Sequence, residues 1–228
     1  MSARIAVLAS GNGSNLQALL DYFAFLGDKA PGRIVLVASD VPQALALDRA
    51  RRLEIETVVL DSAGRTTGLL PLLSARAITL VVLAGYVRLV PADAARAFRG
   101  RLLNVHPALL PAFGGKGMYG SRVHDAVIAG GVRTTGATVH FVDDQYDQGT
   151  IIAQWPVPVF PSDTAATIAI RVLEVEHVLF PRIVASVAAG HVRLGADGRV
   201  VTPHQDMVFP HFAGSDATGA IDAFASVE

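Results

Sequence analysis

Arg4-Ile5-Ala6-Val7-Leu8-Ala9-Ser10-Gly11-Asn12-Gly13-Ser14-Asn15-Leu16-Gln17-Ala18-Leu19-Leu20 changes its pattern twice. Residues 4–9 are a β-rich apolar run, 10–14 a glycine-rich turn, and 15–25 place Leu16, Leu19, Leu20 and Phe23 on one helical face. Strand, tight turn and amphipathic helix in that order open a parallel sheet wrapped by helices. The pattern then recurs. Strands are expected at 33–39, 56–60, 80–84 and 102–105, with helices at 42–53, 67–75 and from Pro91 to 98. Residues 80–84 are continuously apolar, as the buried middle of such a sheet requires. Residues 107–120 are broken by prolines and glycines and read as a long loop, a kind usually kept for function. Residues 138–142 and 151–159 form two strands joined by an acidic turn, followed by a helix over 164–189 that Pro181 should kink. A short hairpin at 192–194 and 198–201 closes the pattern. The expected fold is α/β, an open twisted, mostly parallel sheet with helices on both faces and antiparallel strands toward the C-terminal part. One domain is expected over 1–210, and a frayed tail over 211–228.

Composition narrows the function. Of 228 residues 51% are hydrophobic and 17% charged, so the chain can bury a large core and disorder is excluded. Lys and Arg number 19 against 20 Asp and Glu, a net charge of -1, which lacks the positive field that nucleic-acid binding needs. No cysteine is present, so disulfides, thiolate metal sites and cysteine nucleophiles are excluded, in keeping with a reducing cytoplasm. The first apolar run, about six residues, is too short for a signal core or a membrane span, which points to a cytoplasmic chain with no membrane partner. The sequon Asn12-Gly13-Ser14 is therefore read as part of the turn.

That turn has two readings. Gly11, Asn12, Gly13, Ser14 and Asn15 can aim backbone amides and a helix start at a phosphate, or simply make a tight connection with Ser14 as N-cap. Two glycines with Ser and Asn exceed what a cap requires, which favours phosphate. A dinucleotide fingerprint fits poorly, because Leu16 stands where its third glycine belongs and Asp40 lies too far on.

Asn104 and His106 stand two apart at the carboxyl end of a strand, so both side chains share one face. An amide can hold a developing oxyanion while an imidazole exchanges a proton. The plainer reading is a loop cap and a packed ring; the pairing, fixed by Pro107, favours chemistry. In Asp143-Asp144-Gln145-Tyr146-Asp147-Gln148-Gly149, a calcium loop is excluded because the glycine falls one place late and Gln154 is not Glu. Asp147 is the carboxylate expected to approach His106, favour its charged form and fix its tautomer. Gly114-Gly115-Lys116-Gly117 lacks Walker spacing and reads as a surface loop, no serine-hydrolase elbow is present, and Glu174, Glu176 and His177 lack zinc spacing.

Three segments together resemble the phosphoribosylglycinamide formyltransferases of purine synthesis. They are residues 7–17, the run Asn104-Val105-His106-Pro107-Ala108-Leu109-Leu110-Pro111, and Gly136-Ala137-Thr138-Val139-His140-Phe141-Val142 continuing through Asp147-Gln148-Gly149 to Gln154. The resemblance implies a Rossmann-like formyltransferase fold and direct formyl transfer from 10-formyltetrahydrofolate, a co-substrate, with no metal and no covalent enzyme intermediate. It implies small-molecule partners, phosphoribosylglycinamide and folate, bound by a monomer or homodimer. Carried over, Asn104, His106 and Asp147 are catalytic; Gly11 to Asn15 hold the substrate phosphate; and Glu176, otherwise a solvated helix charge, contacts the glycinamide. Arg65, Val87, Arg88, Leu89, Val90, Asn104, Asp143, Asp144, Gln145, Tyr146 and Asp147 would form the folate pocket. Residues 61–73 are shorter than the family's usual segment, and 113–119 depart from its common Pro-Gly pattern. A deformylase passing the formyl group to water is the nearest alternative, though that family usually has a second His where Pro107 stands and an extra N-terminal domain. A methionyl-tRNA formyltransferase would require a basic C-terminal domain. A non-catalytic nucleotide-binding module is the rival of another class.

Overall fold

A computed structural model describes residues 2–202; the expected tail at 211–228 lies outside them. The opening unit is β1 (Ala3–Leu8) and α1 (Ser14–Leu26). It is followed by β2 (Gly32–Ser39), α2 (Leu45–Arg52), β3 (Glu56–Val59), α3 (Leu69–Ala75), β4 (Leu80–Leu83), α4 (Ala92–Ala97) and β5 (Leu102–His106). Then come α5 (Ser121–Ala129), β6 (Thr134–Phe141), β7 (Ile151–Pro158), α6 (Ala165–Ala188) and the hairpin β8 (Arg193–Leu194) and β9 (Val200–Val201). Seven strands form one sheet in the order β3-β2-β1-β4-β5-β6-β7. The first five are parallel, while β5–β6 and β6–β7 are antiparallel. The expected mixed sheet is thus the one observed, with β4 in its middle.

Alternation along β1 builds the layers. Ile5 and Val7 point into a core with Leu16, Leu19 and Phe23 of α1, Leu47 of α2 and Phe180 and Val184 of α6. Ala6 and Leu8 point the other way, toward Leu69 and Leu73 of α3 and Ala94 and Ala95 of α4. A period of two against helices of period 3.6 therefore covers both faces. A third cluster joins Val127 of α5, Ala137 of β6, Val157 of β7 and Val172 of α6. No helix among the described residues is long and apolar enough to cross a membrane.

Three details differ from the sequence expectation. Helix α5 was not expected, because only Val123 and Val127 mark its apolar face and glycines bracket it. Strand β6 begins at Thr134, since Thr134, Thr135 and Gly136 pair with Pro158, Val157 and Pro156. These prolines are tolerated because β7 is an edge strand. Pro91 is the N-cap of α4 instead of its first residue.

The acidic turn is held by Gly149, where a Cβ would run into the carbonyl of Phe141. Gly149→Ala is expected to cost about 1–3 kcal/mol in urea unfolding, the usual penalty for forcing atoms into a packed position. A midpoint equal to wild type would refute that close approach.

Candidate active site

The site grows from two adjacent strands. In the β5–β6 register, Asn104 faces His140 and His106 faces Thr138. Directly opposed residues share a face, as do residues two apart, so one surface collects Asn104, His106 and His140. The turn after β6 then folds back to bring Asp147, itself in the left-handed region at φ 55°, onto that surface. Asp147 Oδ2 lies 3.6 Å from His106 Nδ1, and its Oδ1 lies 3.7 Å from His140 Nε2. Asp147 also accepts the Gly115 N–H at 2.9 Å.

Hydrogen bonds assign the protons. His106 Nε2 lies 2.8 Å from Phe113 O, and a carbonyl can only accept, so Nε2 carries the hydrogen. Nδ1 is then the nitrogen of the neutral ring that is open to a proton, and it is the one beside Asp147. By the same reasoning His140 donates from Nδ1 to Phe141 O at 2.9 Å and accepts the Asn104 amide at Nε2, 3.1 Å away. His140 thereby fixes which way Asn104 turns its N–H₂ group.

Asp147 acts on His106 in the expected direction, favouring the charged ring, but burial is the larger influence. Burial pushes the His106 pKa below its ordinary value, against the opposing pull of Asp147 and the Phe113 hydrogen bond. Burial pushes Asp147 upward, but the His140 contact, the charge interaction with His106 and the Gly115 N–H together outweigh it and leave the carboxyl below its ordinary value. Burial and the carboxylate thus pull the charge of His106 in opposite directions.

The cluster opens on a cavity of about 700 Å³. Its lining includes Asn104, His106, His140 and Asp147; Val87, Arg88, Leu89 and Val90 after β4; Gln145 and Tyr146 of the acidic turn; and Asn15 and Glu176. Asp143, Asp144 and Arg65 are not in that lining. Arg65 instead turns back on its own segment, donating to Leu60 O at 3.0 Å.

Of the glycine turn, only Asn15 reaches the cavity wall. Gly13, at φ 75°, is the N-cap of α1, replacing the expected Ser14, and no side chain caps the helix, so its first N–H groups remain free for an anion or water. A Cβ on Gly13 would sit 2.7 Å from Ala46 Cα. Arg49 of α2 steadies the turn from outside, donating to Asn12 O at 2.9 Å and to Gln17 Oε1 at 3.0 Å. Glu176 is no solvated charge: it is 5% exposed, and its Oε2 accepts the Asn15 amide at 2.7 Å. Burial pushes its carboxyl up to about 7, with the Asn15 bond opposing. Asn15 Oδ1 has no partner and is buried.

Sequence reasoning overlooked His140 as a site residue, together with Tyr86, Met118, Tyr119 and His124 in the cavity wall. The period-two step from Thr138 to His140 was the available signal; its partner Asn104 lies 36 residues away.

Residues 3–184 match the family model described as formyl transferase. The chain belongs to the formyl transferase family. It is 38% identical over 202 residues to the chloroplastic phosphoribosylglycinamide formyltransferase of Arabidopsis thaliana, covering 86% of this chain and 68% of that one. It is 40% identical to the trifunctional purine biosynthetic protein adenosine-3 of Bos taurus over 90% of this chain, which spans only 20% of that much longer protein. The crystal structure of phosphoribosylglycinamide formyltransferase from Anaplasma phagocytophilum superposes with a TM-score of 0.81 at 32% identity, covering 92% of this chain and 97% of that one.

The raised Glu176 carboxyl predicts how this formyl transferase responds to pH. Its folded pKa of about 7 exceeds the unfolded value, so between pH 4.5 and 7 the folded state holds more protons. Stability is lost as pH rises through that window, by about 3 kcal/mol if the whole shift is expressed. Glu176→Gln keeps a hydrogen-bond acceptor without the charge and should flatten urea-unfolding stability between pH 5 and 8. An unchanged slope in that variant would show that Glu176 titrates as an ordinary carboxyl.

Proposed function

We propose that this chain transfers the formyl group of 10-formyltetrahydrofolate to the amine of phosphoribosylglycinamide, the reaction its relatives are named for. The observation that supports this best is the approach of Asp147 to His106 Nδ1 beside Asn104, on the wall of a cavity large enough for a drug-sized ligand. In this reading the folate lies along Val87, Arg88, Leu89 and Val90 and against Gln145 and Tyr146. The phosphate rests on the turn from Gly11 to Asn15, and the glycinamide extends past Asn15 and Glu176. Arg65, Asp143 and Asp144 stay outside this reading, because the cavity wall does not include them.

The chemistry follows from the proton assignment. The free amine attacks the formyl carbon, giving a tetrahedral adduct with a negative oxygen and a positive nitrogen. Asn104, oriented by His140, donates to that oxygen. His106 Nδ1 is proton-free at rest and takes the proton from the new ammonium, directly or through one water. Asp147 stabilises the imidazolium that forms. The same proton passes to the departing folate nitrogen as its bond to carbon breaks. Both substrates end neutral at the reacting atoms, and the ring returns to its starting form.

Absorbance of the folate product, followed with and without the amine acceptor, tests the reading. Turnover that depends on the acceptor supports transfer; acceptor-independent turnover makes the chain a hydrolase; neither makes it a binding module. Asn104→Ala is expected to lower kcat by about 10²–10³ with unfolding unchanged, and near-normal turnover would remove Asn104 from the mechanism. Asp147→Asn should lower kcat by about 10²–10⁴ and shift the pH–rate profile through His106. A wild-type profile in that variant would break the proposed coupling of ring and carboxylate.

A further inference from the structure

One buried carboxylate takes no part in these steps. Asp40 follows the last residue of β2, and its side chain is 2% exposed. Its Oδ1 accepts the Ser10 hydroxyl at 2.6 Å and its Oδ2 lies 3.0 Å from Arg88 Nε. Ser10 Oγ accepts the Val87 N–H at 3.2 Å, and the Ser10 N–H donates to Gly85 O at 3.1 Å. The ends of β1, β2 and β4 are therefore tied through one acid.

The direction of these bonds matters. A hydroxyl has one hydrogen, and Ser10 gives it to Asp40, so its lone pairs face the Val87 N–H. The chain of donors runs from Val87 through Ser10 to Asp40, where Arg88 meets it from the other side; bonds arranged head to tail strengthen one another. Ser10 opens the turn assigned to phosphate, and Val87 and Arg88 belong to the wall assigned to folate. An acid next to an anion-binding turn opposes the anion electrostatically. Its place is accounted for if it holds the two half-sites in one arrangement.

We propose that Asp40 is a positioning residue that couples the half-sites: phosphoribosylglycinamide on the turn tightens folate binding on the 87–90 wall, and folate tightens phosphoribosylglycinamide equally. The inference rests on the formyl-transfer reading above. Seating a phosphate fixes the turn and Ser10, and Ser10 carries the Val87 N–H directly and Arg88 through Asp40. Reciprocity follows from thermodynamic linkage.

Calorimetric titration of the full chain tests this with tetrahydrofolate, which has no formyl group to transfer, and phosphoribosylglycinamide. Each ligand is titrated alone and in the presence of the other. In the wild type each should tighten the other by the same factor, about fivefold or more. In Asp40→Ala the factor should fall to about one while a cooperative melt shows a folded chain. Asp40→Asn keeps the acceptor for Ser10 and loses the charge facing Arg88, so its factor should fall between, and this comparison decides the matter if the alanine variant does not fold. Equal factors in wild type and variants, or no mutual tightening in the wild type, overturn the coupling and leave formyl transfer standing. Failure of the wild type to bind either ligand overturns formyl transfer and this inference together.

Discussion

The antiparallel register of β5 against β6 is the constraint on which the site depends. It sets His140 opposite Asn104 and His106 opposite Thr138. A slip of one residue would put Val139 or Phe141 opposite Asn104 and turn the imidazole to the other face of the sheet. The register is held by more than backbone bonds. Val139 and Phe141 point into the core that also receives Leu103 and Val105, so shifting the strand would expose two large apolar groups and bury polar ones. Burial on one face thus specifies the polar constellation on the other.

This explains which parts of the site could be read from the chain and which could not. The pairing of Asn104 with His106 is local: two residues apart on a strand share a face whatever the fold. The approach of Asp147 and the role of His140 are not local. They arise when a strand more than thirty residues on lies antiparallel to β5, and nothing near His140 announces which side chain it will meet. Glu176 is similar, since a glutamate in a helix ordinarily faces water. Its burial comes from the docking of α6 against α1, where Asn15 supplies one amide to a carboxylate cut off from solvent. The sheet was legible because its signal repeats with every strand, whereas α5 carries two buried valines and a histidine and no sustained apolar stripe. Arg65 donates to the Leu60 carbonyl within its own segment, a local bond that its position in the chain does not announce.

Burial of His106 bears on the proposed transfer. An amine acceptor is useful only as its free base, so the first proton to be moved appears after attack, on nitrogen. A ring already charged at rest could donate to the forming oxygen but could not accept that proton. In the proposed transfer, burial of His106 disfavours its charge before the adduct forms, and Asp147, 3.6 Å from Nδ1, stabilises the imidazolium that follows. The depressed pKa and the adjacent anion, which pull in opposite directions at rest, act together once the proton is in flight.

Two carboxylates on the same cavity are driven apart by their surroundings. Asp147 has a backbone N–H and two imidazoles around it and stays below its ordinary value, while Glu176 has one neutral amide and rises to about 7. The difference lies in the number of partners, because both groups are shielded from water. Such divergence suits separate tasks. In the proposed transfer Asp147 is the anion that meets a transient cation. Glu176 is held above the ordinary carboxyl range by burial, with one neutral amide as its partner. In the proposed transfer, where the glycinamide passes Glu176, a permanently charged acid there would favour the unreactive protonated amine, and burial weakens that bias.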